Sequence, residues 1–246
     1  MSGGRKKSEL GQPRRTPTLS RRHFLDSALL GGVASLGVVG VGAGNERSDV
    51  QFNSKALDVN PRFFTFVGGD VGQWAVVDVK AVIGEGLPRA QRVNVINGPV
   101  AGLPNGARWL LRGVTSNEQY ANRHEKDQLA AKQPSLGRPE ATCAALIPIR
   151  KSMRWWSLPQ DERRQVFEDR SHHIGTGLKY LPAIARRLHH CRDLGENEPF
   201  DFLTWFEYAR AESAAFDELV AELRASEEWT YVDREVDIRL VRDGAS

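Results

Sequence analysis

Cysteine is scarce in this chain: Cys143 and Cys191 are the only two among 246 residues, and they form no CxxC pair. A disulfide scaffold is therefore excluded, and neither zinc-ribbon nor thioredoxin chemistry has support. An excess of one charge is missing too, since 34 Lys and Arg stand against 31 Asp and Glu for a formal net charge of +3. With a 40% hydrophobic share, these values exclude disorder and collagen and fit a soluble globular chain of one or two domains.

The small positive charge is unevenly placed. Seven basic residues (Arg5, Lys6, Lys7, Arg14, Arg15, Arg21 and Arg22) fall in the first 26 positions against Glu9 and Asp26, so this segment carries +5 and the remainder −2. An uncharged stretch from Ser27 to Gly44 follows, with Val41-Gly42-Ala43 as a small-residue cleavage site. This is the layout of an export signal. Ser20-Arg21-Arg22-His23-Phe24-Leu25 matches the twin-arginine consensus, with Asp26 in place of the usual lysine. Residues 1–43 are thus expected to be a twin-arginine signal peptide and 44–61 a flexible linker. The expected partner is the twin-arginine translocation machinery and the destination is periplasmic or extracytoplasmic. That route carries folded proteins, usually with a cofactor already inserted. An uncleaved anchor is the rival reading, although about 17 apolar residues fall short of the roughly 20 that span a bilayer. A nucleic-acid-binding tail gives the apolar run no role, so no nucleic-acid partner is expected.

The rest divides near residue 140. Phe63 to Val67 and Trp74 to Val79 read as β runs around the turn Gly68-Gly69-Asp70-Val71-Gly72. A phosphate loop is rejected here, because no helix follows whose N-terminus could meet the anion. Ala107 to Val114 is a further strand. Ser116 and Gln119 form a capping box for a helix holding Tyr120 and His124, and residues 132–140 read as a linker.

The second half is more regular. Cys143 to Ile149 reads as a strand close to an edge, because it contains Pro148. Ser157 is expected to cap a helix with Pro159, Asp161 and Glu162 in its first turn. Val166, Phe167, His173, Ile174 and Leu178 would share its apolar face, and Pro182 would end it. Ile184 to Cys191 and Phe202 to Tyr208 alternate as strands. Phe216, Leu219, Val220 and Leu223 form the stripe of another helix. The last strand, Val232 to Leu240, alternates so that one face is charged and expected to be wet. The order β-α-β-β-α-β is that of a ferredoxin-like unit in an α+β protein. The N-terminal half, 62–140, reads as a reduced version of the unit completed by 141–246.

Four of the six histidines lie in His172-His173 and His189-His190. Zinc, with Cys191 as a further ligand, is weakly supported, because adjacent residues point about 100° apart on a helix and to opposite faces of a strand. His173 lies on the apolar helical face, where it is either a satisfied core histidine or a ligand. In the next strand Ile184, Arg186, Leu188 and His190 share the more apolar face. A guanidinium there calls for an anionic partner.

At these positions the sequence resembles the chlorite dismutase family of haem proteins, over about residues 62–242. The likeness is densest in Ala144 to Ser152, Trp155-Trp156, Ser171-His172-His173, Leu178 to Arg186, Asp201 to Glu207 and Glu227 to Tyr231. The resemblance implies a dimeric α/β-barrel type of ferredoxin-like fold in its short, homodimeric branch, with haem b as cofactor. It implies that His173 is the proximal iron ligand, that Glu228, or its neighbour Glu227, orients that imidazole, and that Arg186 is the distal arginine. Lys151 would pair with a haem propionate, Trp155 and Trp156 would pack on the macrocycle, and Tyr120 would contact a propionate. Without the resemblance the tryptophans read as ordinary core aromatics. The implied reaction cleaves chlorite at ferric iron while Arg186 retains hypochlorite, releasing chloride and dioxygen. Chlorite or a related small anion is then the substrate. A coproheme decarboxylase-like or peroxidase-like enzyme and a non-enzymatic, exported haem-binding or redox-sensing protein are the alternatives.

Overall fold

The computed structural model describes residues 60–115, 119–195 and 198–242. The expected export segment, almost all of the linker, and Ser116 lie outside the described residues. Within them the strands are β1 (Phe63–Gly69), β2 (Trp74–Ile83), β3 (Arg92–Asn97), β4 (Ala107–Thr115), β5 (Cys143–Lys151), β6 (Ala185–His190), β7 (Phe202–Tyr208) and β8 (Val232–Arg242). They close into a barrel in the order β1-β3-β2-β8-β5-β7-β6-β4, every pairing antiparallel. In each half the spatial order is fourth, first, third, second: β4-β1-β3-β2, then β8-β5-β7-β6. The described helices are α1 (Arg123–Lys132), α2 (Met153–Ser157), α3 (Gln160–Arg164), α4 (His173–Lys179) and α5 (Ser213–Arg224).

Strand alternation sends one set of side chains into the barrel and the other outward. Phe66, Trp74, Val93, Trp109 and Leu111 of the first half meet Leu146, Leu203, Trp205, Val236 and Ile238 of the second in the barrel interior. Outside β5 and β7, a second core joins Ala145, Ile147 and Phe206 to Phe216, Leu219, Val220 and Leu223, the expected stripe of α5. Burying each large apolar side chain of that stripe contributes about 1.5–3 kcal/mol.

Several local expectations are corrected. β3 was not anticipated, although Arg92-Val93-Asn94-Val95 alternates with Val93 turned inward. β5 is interior to the sheet, between β7 and β8, and its β8 ladder resumes past Pro148, with Leu146 opposite Ile238 and Ile149 opposite Glu235. Past the exposed Asp233, the charged face of β8 is covered, with Glu235 and Asp237 buried beneath α5. Arg224 of α5 donates to Glu235 (2.8 Å) and Asp237 (2.9 Å), and Arg239 donates to Asp237 (2.6 Å) and Asp217 (2.7 Å). Alternating charges along that face let each buried carboxylate find a guanidinium, which is the condition for burying it.

His189 fills the opposite face of β6, inside the barrel and fully buried. Its ring stands edge-on to Phe64 and Phe66 at 5.2 and 5.1 Å. Nδ1 donates to the Leu203 carbonyl (3.0 Å), and Nε2 accepts from Arg187 Nε (3.1 Å). Burial, with the neighbouring Arg187 cation, lowers its pKa to about 3. The unfolded chain therefore binds a proton below about pH 6.5 that the folded chain refuses until about pH 3. The stability contributed by neutral His189 is fully present above pH 6.5 and is lost as pH falls through that window. Urea melts between pH 7.5 and 5 are expected to lose up to about 1.4 kcal/mol per pH unit below 6.5. His189→Gln is expected to flatten that slope; an undiminished slope in the variant would place the linked proton elsewhere.

Candidate functional site

The outer face of β5–β7 and the helices above it enclose a cavity whose wall includes Tyr120, Lys151, Trp155, His173, Arg186 and Glu228. Six of the seven expected site residues thus meet in one place. Trp156 is not among the lining residues. It stacks on Phe202, which does line the cavity, at 6.0 Å, and donates its Nε1 to Asp201 Oδ2 (3.1 Å).

The segment that presents His173 is not the continuous helix expected. Ser157 does not cap it: Pro159 stands at the start of α3, and Ser157 Oγ donates back to the Arg154 carbonyl. After α3 the chain widens into a π turn (Gln165–Arg170), then His172 adopts a left-handed φ of 50°. That break resets the helical phase and makes His173 the first residue of α4. The Glu168 carboxylate accepts from the backbone N–H of Ile174 (2.6 Å) and Gly175 (3.2 Å), so the turn that presents His173 is capped by a negative side chain. Phe167 stacks on the imidazole at 4.3 Å.

His173 Nδ1 lies 2.6 Å from Glu228 Oε2. The other carboxylate oxygen, Oε1, accepts from Lys151 Nζ at 2.7 Å, and the Glu228 N–H donates to Ser171 Oγ at 2.8 Å. Burial pushes the Glu228 pKa upward, but the Lys151 charge and the hydrogen bonds from Lys151 and His173 outweigh it and hold the group at about 2. An ionised Glu228 accepts a hydrogen bond from Nδ1–H, so Nε2 keeps its lone pair for a metal. Glu228, not Glu227, makes this contact: Glu227 pairs with Arg170 at 3.3 Å, and both of those side chains are largely exposed. Lys151 departs from its expected role. Its ammonium is committed to Glu228 and buried against the rings of Trp155 (4.7 Å) and Trp229 (5.5 Å). A buried ammonium requires such a counter-charge, and none was visible from residue type alone.

Tyr120 precedes α1 instead of belonging to it, with φ of 63°. Asn122 and Glu125 form the capping box of α1, in place of Ser116 and Gln119. Arg164 ties this turn to α3 by pairing with Glu125 and donating to the Tyr120 carbonyl. The Tyr120 ring then meets Trp155 edge-on at 6.1 Å and Phe167 at 5.6 Å.

Arg186, Leu188 and His190 of β6 all line the cavity, as their shared parity predicts. Gln133 Nε2 donates to the Arg186 carbonyl at 3.2 Å and fixes its backbone. The guanidinium lies against α4 at Gly177, where an added Cβ would stand 2.6 Å from Nη1. His173 and Gly177 are one helical turn apart on α4, about 6 Å along its axis, which places the arginine and the imidazole at the same cavity. Gln119, Thr204, His190, Trp229 and Glu235 line the cavity as well, without being expected from the sequence; of these, the parity of β6 carries a signal for His190.

Among the described residues no group of three or more His, Cys, Asp or Glu could hold a metal ion. The histidine pairs do not converge, since His172 is exposed and His189 sits inside the barrel. A single oriented imidazole in a mostly apolar slot suits a metal that arrives with its other ligands in a flat macrocycle. Tyr120 Oη, Trp155 Nε1 and His190 Nε2 are buried without hydrogen-bond partners, and all three residues line this cavity. Such atoms are costly when left unpaired, so they also fit a bound group with polar substituents.

A family profile for chlorite dismutase matches residues 105–242. The dimeric chlorite dismutase from Nitrobacter winogradskyi is 57% identical in a match covering 73% of this chain and 99% of that one, with a TM-score of 0.67. The chlorite dismutase from Candidatus Nitrospira defluvii in complex with imidazole is 20% identical over 72% of this chain and 90% of that one. Its TM-score of 0.52 shows a shared fold.

Proposed function

The chain belongs to the chlorite dismutase family and is a chlorite-converting enzyme; we propose that it works with a haem b seated in the cavity between His173 and β6, returning chloride and dioxygen. The observation that carries this reading is the ordered pair of His173 and the ionised, buried Glu228, facing a wall that contains Arg186. When bound, the haem supplies a ferric centre at which a Cl–O bond can be cleaved. His173 would hold the iron through Nε2. Glu228, fixed by Lys151 and Ser171, keeps the imidazole in one tautomer and makes it a stronger donor. Arg186 draws chlorite into the cavity and holds hypochlorite close until its oxygen is used. Trp155 packs on the macrocycle and Tyr120 binds a propionate. The fourth-first-third-second strand order in both halves supports a ferredoxin-like reading, with 62–140 the reduced half and 141–246 the haem-binding half. A homodimer is supported by the dimeric Nitrobacter relative. Export by the twin-arginine route rests on residues 1–43 and places the enzyme outside the cytoplasm.

An oxygen electrode tests the reaction. Full-length protein loaded with haem is expected to release dioxygen from chlorite in equal molar amount without added reductant; consumption of chlorite with no dioxygen would sink the proposal. Gly177→Ala tests the arginine's seat. Alanine favours a helix interior by about 1 kcal/mol over glycine, so the thermal midpoint should hold or rise. The added methyl displaces the guanidinium, and dioxygen yield should fall; an unchanged yield would show that this seat is not used in the reaction.

A further inference from the structure

Among the described cavity-lining residues that the proposed reaction does not use, His190 is the one whose buried polar atom has no hydrogen-bond partner. His190 ends β6 on the same face as Arg186, about 13 Å further along the strand. Its ring stands edge-on to Phe202 at 4.8 Å, and Nε2 is buried with no hydrogen-bond partner. The ladder sets His190 opposite Phe202 and Phe202 opposite Ile149, two residues before Lys151, whose ammonium lies over the Trp155 ring that Tyr120 meets edge-on. His190 therefore borders the same end of the cavity as Tyr120, whose Oη is also without a partner. The cations around this end are already committed to carboxylates: Lys151 to Glu228, Arg192 to Asp201 (3.4 Å) and Arg164 to Glu125 (2.6 Å). An anionic substituent arriving here must be met by neutral donors.

Resting on the haem reading above, we infer that His190 binds a peripheral carboxylate of the bound tetrapyrrole, with Nε2–H donating to it beside the Tyr120 hydroxyl. Burial lowers the His190 pKa, so the ring enters the site neutral, and the carboxylate satisfies an atom that would otherwise stay unpaired. His190 is then a retention contact, separate from the iron ligand and from the arginine that handles substrate.

Full-length apoprotein is loaded with haem b or with its dimethyl ester, whose carboxylates are capped, and release is timed by transfer to excess apomyoglobin. A hydrogen bond to a charged group is worth a factor of roughly 10 to 100, so His190→Phe should release haem b faster by about that factor. His190→Gln, which keeps an N–H donor, should recover most of the loss, and all of the proteins should release the ester alike. His190→Leu replaces the Phe variant if far-ultraviolet circular dichroism shows that the larger ring disturbs the fold. Unchanged release of haem b, or an equal acceleration for haem b and its ester, overturns the inference and leaves the haem reading intact. An unaltered chain that develops no Soret band with haem b overturns the haem reading, and this inference with it.

Discussion

His173→Ala is expected to abolish haem uptake, read as loss of the Soret band when the full-length apoprotein is titrated with haem b. The side chain is the first of α4, and what orients it lies outside it: Glu168 caps the helix, Ser171 and Lys151 hold Glu228, and Glu228 holds Nδ1. Removing the imidazole leaves that framework in place, because Glu228 retains Lys151 as counter-charge. The fold should therefore survive while the iron ligand is gone. The orienting carboxylate gives a graded control. Glu228→Gln keeps the shape but loses the charge that fixes the tautomer, and outer partners of this kind are worth about 10- to 100-fold in metal affinity. Glu227→Gln should change nothing, since that side chain faces Arg170. Native-like haem spectra in His173→Ala would move the ligand to another residue, and a Glu227→Gln defect equal to that of Glu228→Gln would remove Glu228 as the orienting group.

Periodicity is the part of the fold that is legible in the sequence, and its limits explain the misplacements. In β6 the two-residue period correctly grouped Arg186, Leu188 and His190, which line one cavity. It could not show that the other group is just as enclosed: His189 and Cys191 lie in the barrel interior, and Arg187 sits over the Phe64 ring at 3.7 Å. Both faces of β6 carry buried or half-buried side chains while the apolar Leu188 is exposed, so polarity alone does not say which way the strand looks. β8 shows the same thing, its carboxylates covered because α5 supplies Arg224. The 3.6-residue period does not hold between Val166 and His173, where the π turn and the left-handed His172 shift the phase, and positive φ is rare enough outside glycine that periodicity gives no warning of it. Lys151 and Trp156 were placed near the right cavity but given the wrong neighbours. Their partners, Glu228 and Asp201, are 77 and 45 residues away along the chain, and no local pattern encodes such pairs.

Arg186→Ala should spare haem uptake and shorten the working life of the enzyme. The variant removes a guanidinium that no neighbour can replace. Arg187 points into the barrel on the opposite strand face, and Lys151 is held by Glu228 at the far side of the cavity wall. The backbone at residue 186 should not move, because its carbonyl keeps the Gln133 contact and the β7 ladder continues on both sides. Loss therefore falls on the anion. A charge-assisted contact to a small oxyanion is worth about tenfold or more, so dioxygen formed per enzyme before inactivation should drop by about that factor in excess chlorite. Free hypochlorite, measured by chlorination of an added dye, should rise in parallel. Arg186→Lys keeps the charge but presents a point instead of a planar fork, and should fall between the two. Arg187→Ala should lower stability and leave dioxygen yield per turnover unchanged, which separates a general loss of positive charge from loss of this one. Equal yield, lifetime and hypochlorite release in Arg186→Ala and the unaltered chain would take the arginine out of the reaction and leave the cavity to His173 and its carboxylate alone.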